Sequence, residues 1–427
     1  MTYSVFTGLD FGTSGARACV IADNGEIEEF ARLDFGSLDA HELAPTWRNA
    51  LFDLLAGLPA GLRKRLAGIA LDGTSATVLA CNEALQPTAP PLLYNDSRAR
   101  VEAAEIARAA GAGHPAASAT SGLAKVLWLK RHIGPERARL FLNQADWLTG
   151  LLSGLPGVSD YHNALKMGFA VDQGAWPEWV AHLADIDTLP NVVPPGSPVG
   201  VLDRPRAREL GVPVDCLVRT GTTDSIAAFL ATGAGAPGDA VTSLGSTLVL
   251  KLVSSRRIDD ARLGVYSHWF GDRWLAGGAS NAGGSVLRQH FSDAEMATLS
   301  ACIDPETDSG LDYYPLPCPG ERFPVNDPDL PPRLTPRPEE KGAFLKGMLE
   351  GLAAIEARGY AKLVELGAEP PSRVISVGGG ATNPAYHRLR ERHLRRPVVL
   401  AQHQEAAYGA ALLALRGTAL FPGVTHA

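Results

Sequence analysis

Asp10 stands just ahead of Gly12, Thr13, Ser14 and Gly15, so a carboxylate precedes a tight bend rich in backbone N–H groups and hydroxyls. Successive N–H groups on such a bend form an anion-binding concavity, and phosphate is its natural guest. A carboxylate facing phosphate is repelled unless a cation lies between them, which points to Asp10 acting through Mg2+. The competing reading is an ordinary β-hairpin whose glycines only supply positive φ. Ser243-Leu-Gly-Ser-Thr247 repeats the pattern in the second half of the chain, again between two strands rich in Val, Leu and Ala. Two such turns, one per half, would clasp one polyphosphate across a cleft.

Asp224 follows Gly221-Thr-Thr where a strand gives way to a helix. The positive end of the helix favours its ionised form. A carboxylate is a weak base, but phosphoryl transfer asks little of its base: the nucleophile's proton leaves late, and the Asp mainly orients the hydroxyl. A plain helix cap is the alternative. Val374 to Pro384 reads as a buried strand, three glycines and a helix start, with Asn383 as N-cap and Pro384 as first helical residue. Glycines at 378–380 would let a nucleoside lie close against the backbone; chain reversal alone is the other reading. No Gly-x-Gly-x-x-Gly fingerprint of a dinucleotide fold follows this strand, and no Walker loop is present in the chain.

The elements around these residues alternate between strand and helix. Residues 4–32 read as three strands, and Gly68 to Cys81 as two strands around an Asp-Gly-Thr-Ser bend. Ser97 to Ala110 and Gly122 to His132 read as helices, and Phe344 to Leu366 as a long amphipathic one. This is the pattern of an α/β protein with mixed sheets. At 427 residues the chain suits two domains, placed at 1–232 and 233–427, with a last helix at about 405–417 packing back on the first. Gly233 to Gly238 is the best hinge candidate.

With 39 basic and 46 acidic residues the net charge is −7, which argues against nucleic acid or anionic membrane as the main partner. Five scattered cysteines without Cys-x-x-Cys spacing suggest neither disulfides nor zinc, so a cytoplasmic location is expected. Oligomeric state is left open between monomer and homodimer.

Taken in order, Leu9-Asp-Phe-Gly-Thr-Ser14, Gly221-Thr-Thr-Asp224, Leu244-Gly-Ser-Thr247 and Gly378-Gly-Gly-Ala-Thr-Asn383 resemble the motifs of the FGGY carbohydrate kinases. Weaker matches are Pro91 to Arg98, Asp146-Trp-Leu-Thr-Gly150 and Ser159 to Asn163. The resemblance implies a two-domain actin/hexokinase-like ATPase (ribonuclease H-like) fold, with duplicated mixed-sheet cores around a central cleft. It implies ATP and Mg2+ as cofactors and Asp224 as the base that deprotonates a sugar's primary hydroxyl. Asp10 would help hold Mg2+. Gly12, Thr13, Ser14, Gly245 and Ser246 would contact the phosphates, and Gly379 and Asn383 the adenosine.

Sugar contacts fall, by the same resemblance, on Thr74, Ser75 and Asp96, with Asp224. Xylulose kinases of the family carry a Met-His pair in the first of these loops and glycerol kinases an Arg-Glu pair, where this chain has small hydroxyls. The short form with Asp72-Gly-Thr-Ser75 looks most like ketopentose kinases acting on D-ribulose, with xylulose as the alternative. A polar hairpin turn is the plainer reading of Thr74 and Ser75. Trp128 is expected in the core and His162 in solvent. A catalytically silent, actin-like ATP- or sugar-binding protein is the different-class alternative.

Overall fold

The first strand, β1 (Val5–Phe11), and its hairpin partner β2 (Gly15–Ala22) are apolar on both faces, as strands covered on each side must be. β3 (Ile27–Asp34) alternates between exposed and half-buried positions and forms the sheet edge. A computed structural model describes residues 3–134 and 137–424, and its chain divides into two units. The first comprises residues up to Ala231 together with Glu405 onward; the second is Thr232–Gln404.

In the first unit, β1 pairs antiparallel with β2 and parallel with β4 (Leu66–Gly73). Strands Leu217–Arg219 and Thr222–Thr223 lie parallel to β4 in turn. β1, β4 and Thr222–Thr223 therefore deliver their C-terminal ends to one side of the sheet, where α/β folds place their chemistry. The strand after β4 departs from the hairpin reading of residues 68–81. Val78–Cys81 pairs not with β4 but with Leu140–Asn143 in a separate two-stranded sheet. The bend at Asp72–Thr77 is thus a crossing between two sheets, whose shape the turn residues alone do not dictate.

The Ala-rich helix Ala406–Arg416 packs on this sheet at very short range. A Cβ on Gly8 of β1 would stand 2.1 Å from the Ala407 carbonyl oxygen. The same helix meets Asp224–Ala231 through Gly409, and Tyr408 Oη donates to the Gly25 carbonyl at 3.1 Å.

The second unit repeats the arrangement. Asp239–Leu244 turns into antiparallel Leu248–Ser254 and pairs parallel with Arg373–Val377, which pairs parallel with Val398–Leu400. The strand Val398–Leu400 was not foreseen in the sequence; its three residues give little period to read. The long helix Lys341–Glu365 begins three residues ahead of its expected start and buries Phe344, Met348, Leu352, Ile355 and Leu363 in this unit's core. Beneath the sheet a buried Arg390–Glu356 pair is doubly bonded at 2.6 and 2.7 Å, with Thr242 and Ser376 hydroxyls completing it. The Pro-rich span 314–338 has only isolated bridges, yet its Phe323 is fully buried.

Candidate active site

The first unit gathers three carboxylates at the ends of its parallel strands. Asp10 near the end of β1 is the register partner of Asp72 on β4 and of Arg17 on β2. Arg17 Nη1 donates to Asp10 Oδ2 at 2.8 Å, so one of the three has a cation in contact. Thr222 is the next partner of Asp72, which sets Asp224 two residues further on, at the start of its helix. Asp224 Oδ1 accepts from the Ser225 backbone N–H at 2.6 Å.

Asp72 is fully buried, no N–H or hydroxyl group among the described residues donates to its carboxyl oxygens, and its hydrogen-bonding neighbour is the Asp10 carboxyl. Burial raises its pKa well above the carboxylate range, and the negative charges of Asp10 and Asp224 raise it further, against a smaller opposing effect of Arg17. A proton held on Asp72 relieves this repulsion and lets the Asp72–Asp10 pair share a hydrogen bond. The sequence places Asp72 only in the sugar loop; its closeness to Asp10 comes from strand register and has no local signature.

The phosphate turn between β1 and β2 is closed by Gly12 N–H donating to the Gly15 carbonyl at 3.1 Å. Thr13 and Ser14 are exposed at its tip. Gly15 is required: a Cβ there would lie 2.4 Å from the Leu33 carbonyl oxygen.

The loop 72–77 is held from several sides. Thr74 is buried, and Gln144 Oε1 accepts from its backbone N–H at 3.1 Å and from its hydroxyl at 3.0 Å. That hydroxyl also lies 2.6 Å from the one on Thr77. Ser75 is half-exposed, and its hydroxyl has no partner among the described residues. Of the two hydroxyls expected to meet sugar, Thr74's is therefore engaged within the protein and Ser75's is presented. Asp96 is held by Arg98, whose Nε lies 2.9 Å from both carboxylate oxygens; these bonds outweigh burial and keep its pKa low. Trp128 is half-buried rather than core, stacked on His132 at 3.9 Å with the Arg98 guanidinium 5.0 Å from its ring centroid.

His162 corrects the expectation of a solvated loop residue. It is 2% exposed, and its Nδ1 lies 2.7 Å from the hydroxyl of Thr222, so it steadies the strand leading to Asp224. Asp160, itself buried, caps the turn carrying it by accepting from the backbone N–H groups of His162 and Asn163.

The second unit contains a cavity of about 1120 Å3, ample for a nucleotide. Gly245 and Ser246 line one part, and their carbonyls accept from the N–H groups of Gly284 and Ser285. Arg288 Nη2 donates to the Ser246 hydroxyl at 2.7 Å and has no ion-pair partner among the described residues. Gly379 and Asn383 line another part. A Cβ on Gly379 would meet nothing within 4 Å, so bare backbone faces open space. Asn383 caps the helix Pro384–Leu394 through the Tyr386 N–H, while its amide donates to Ser300 Oγ at 2.8 Å.

Each unit thus has a glycine- and hydroxyl-bearing turn, the first beside a carboxylate cluster and the second in a nucleotide-sized cavity. Residues 5–231 match the N-terminal domain, and residues 240–418 the C-terminal domain, of the FGGY family of carbohydrate kinases. The chain belongs to that family. It is a carbohydrate kinase, a phosphotransferase that uses ATP. Similar relatives include the xylulose kinase of Staphylococcus epidermidis, 23% identical over 99% of this chain and 89% of the relative, and the L-fuculokinase of Escherichia coli, 23% identical over 99% and 94%. Among solved structures, a xylulose kinase from Rhodospirillum rubrum superposes with a TM-score of 0.81 at 22% identity, covering 96% of this chain and 89% of that one. Its fold is that of the actin/hexokinase-like ATPases. No described helix is long and apolar enough to cross a membrane.

Proposed function

We propose that this FGGY kinase transfers the γ-phosphate of ATP to the primary hydroxyl of a ketopentose, with Asp224 as its base. The observation that carries the roles is the meeting of Asp10, Asp72 and Asp224 at the ends of neighbouring strands. The sugar oxygen forms a bond to the γ-phosphorus as the bond to the bridging oxygen of ADP breaks. Asp224 orients the hydroxyl and takes its proton late in the transfer. Thr13 and Ser14 at the exposed tip of the turn that Gly12 closes would bind phosphate in the first unit, as Gly245 and Ser246 would in the second. Gly379 and Asn383 would lie against the adenosine.

Mg2+ suits Asp10. The ion keeps several waters and needs only one or two carboxylates beside the phosphates, so no dedicated protein cage is required. None of three or more ligating side chains exists among the described residues. When bound, the ion would neutralise phosphate charge.

Two sugars are in contention. Xylulose is supported by the names of the relatives, several of which are xylulose kinases. D-ribulose is favoured by the small-hydroxyl loop, in which Ser75 alone offers an unengaged hydroxyl. Asp96 would stand close by as a further sugar contact.

ADP release measured against ketopentoses, ketohexoses, pentitols and glycerol tests the reading. Asp224→Ala is expected to lower kcat by about 10²–10⁴-fold. Sugar-independent ADP release would instead favour ATP hydrolysis without a sugar acceptor, full activity in that variant a different base, and no ADP release with any sugar a silent nucleotide-binding protein. A tenfold preference in kcat/KM decides between ribulose and xylulose.

A further inference from the structure

Lys125 is fully buried on the helix Gly122–Ile133, far from where a lysine ordinarily sits. Its Nζ donates to two backbone carbonyls, Ala76 at 2.8 Å and Thr120 at 2.9 Å. It forms no ion pair among the described residues; Asp96 and Lys166 are the charged groups that act on it at longer range. Burial pushes its pKa down to about 7, so holding an amine here is unfavourable unless the carbonyls need it.

Ala76 is where they need it. Its φ is +63°, a left-handed geometry that a non-glycine residue keeps only when its surroundings hold it. The other residues of the bend have their own ties. Thr74 is bound to Gln144, and the Thr77 hydroxyl, beside Thr74's, accepts from the Tyr94 N–H at 3.1 Å. What these bonds leave presented is the side chain between them, Ser75.

We propose that Lys125 is a positioning residue for sugar recognition, tying the Ala76 carbonyl to the helix Gly122–Ile133 so that the preceding Ser75 hydroxyl is held in one orientation. The inference rests on the reading that the loop 72–77 contacts the sugar. Lys125 touches neither substrate nor the reacting atoms. Its effect is to spare the sugar the ordering of this loop on binding. Three N–H donors on a long flexible stem suit the task, because two carbonyls diverging from different segments must be met in an apolar setting.

The test is steady-state kinetics on Lys125→Met, Ser75→Ala and the double variant, with thermal midpoints recorded in parallel. Lys125→Met is expected to raise KM for the sugar by about tenfold or more while KM for ATP stays within about twofold. In the Ser75→Ala background the same change should add little, because the lysine acts through that serine. Lys125→Gln, which keeps an N–H donor, should show the same split to a smaller degree and serves if the methionine variant does not fold. Parallel rises in both KM values, or full additivity with Ser75→Ala, would assign Lys125 a purely structural role and overturn the proposal. An unchanged sugar KM in Lys125→Met with a raised one in Ser75→Ala would overturn this inference alone. An unchanged sugar KM in Ser75→Ala would remove the sugar-loop reading itself.

Discussion

Gly409 lies directly on the backbone of Ala227, so close that a Cβ at 409 would stand 1.8 Å from the Ala227 carbonyl oxygen. Ala227 belongs to the helix that Asp224 begins, and Gly409 to the helix that also covers Gly8 of β1. The approach of these two helices therefore sets where Asp224 stands relative to Asp10. Gly409→Ala must push the helices apart, an overpacking that costs about 1–3 kcal/mol. The variant is expected to have a lower thermal midpoint and, at temperatures where it remains folded, a reduced kcat. Wild-type kcat in a folded Gly409→Ala protein would show that the contact does not govern Asp224.

Asp72 makes stability depend on pH in a predictable direction. Its folded-state pKa is raised above the ordinary 3.8, so the native state keeps a proton that the unfolded chain releases. The stabilisation this confers is complete below about pH 4 and is lost as pH climbs toward the raised value. Asp72→Asn carries no titrating group and should flatten that decline. Thermal midpoints of the two proteins compared from pH 4 to 8 check it; parallel curves would contradict a protonated Asp72.

Arg288 offers its guanidinium to the Ser246 hydroxyl within the nucleotide-sized cavity. Guanidinium bonds to phosphate are charge-assisted and roughly twice as strong as neutral ones. Arg288→Leu is expected to raise KM for ATP by about tenfold while leaving KM for the sugar near its starting value. A change confined to the sugar KM would place Arg288 outside nucleotide binding.

The Arg390–Glu356 pair is buried, and removing one partner strands the other's charge. Glu356→Gln should destabilise the second unit by about 3–5 kcal/mol, lowering its thermal midpoint by on the order of 10 °C. Calorimetry should show that transition shift; an unmoved transition would mean the amide satisfies Arg390 as well as the carboxylate does.

What could be read from the sequence was local. The Asp10–Gly15 turn, the Asn383 cap and the long helix near residues 341–365 declare themselves because neighbouring residue types dictate them. The partners of those residues were harder. Asp72 stands beside Asp10 because β1 and β4 run parallel in a particular register, and a register between distant strands leaves no mark on either segment. Val78–Cys81 looked like the second arm of a hairpin, since strand period does not say which strand is the neighbour. His162 and Lys125 are polar types with a strong prior for solvent; only tertiary contacts reveal that Thr222 and Ala76 occupy them.

The unit that holds Asp224 is built from two stretches of chain, one before Thr232 and one from Glu405 onward. During synthesis the first stretch leaves the ribosome with its β1 glycine face bare, and the residues that cover it emerge only after all of 232–404. The carboxylate cluster therefore cannot reach its working geometry co-translationally until the second unit has been made. A nascent chain stopped at residue 404 would contain every charged group of the cluster and still lack the helix that sets Asp224 in place.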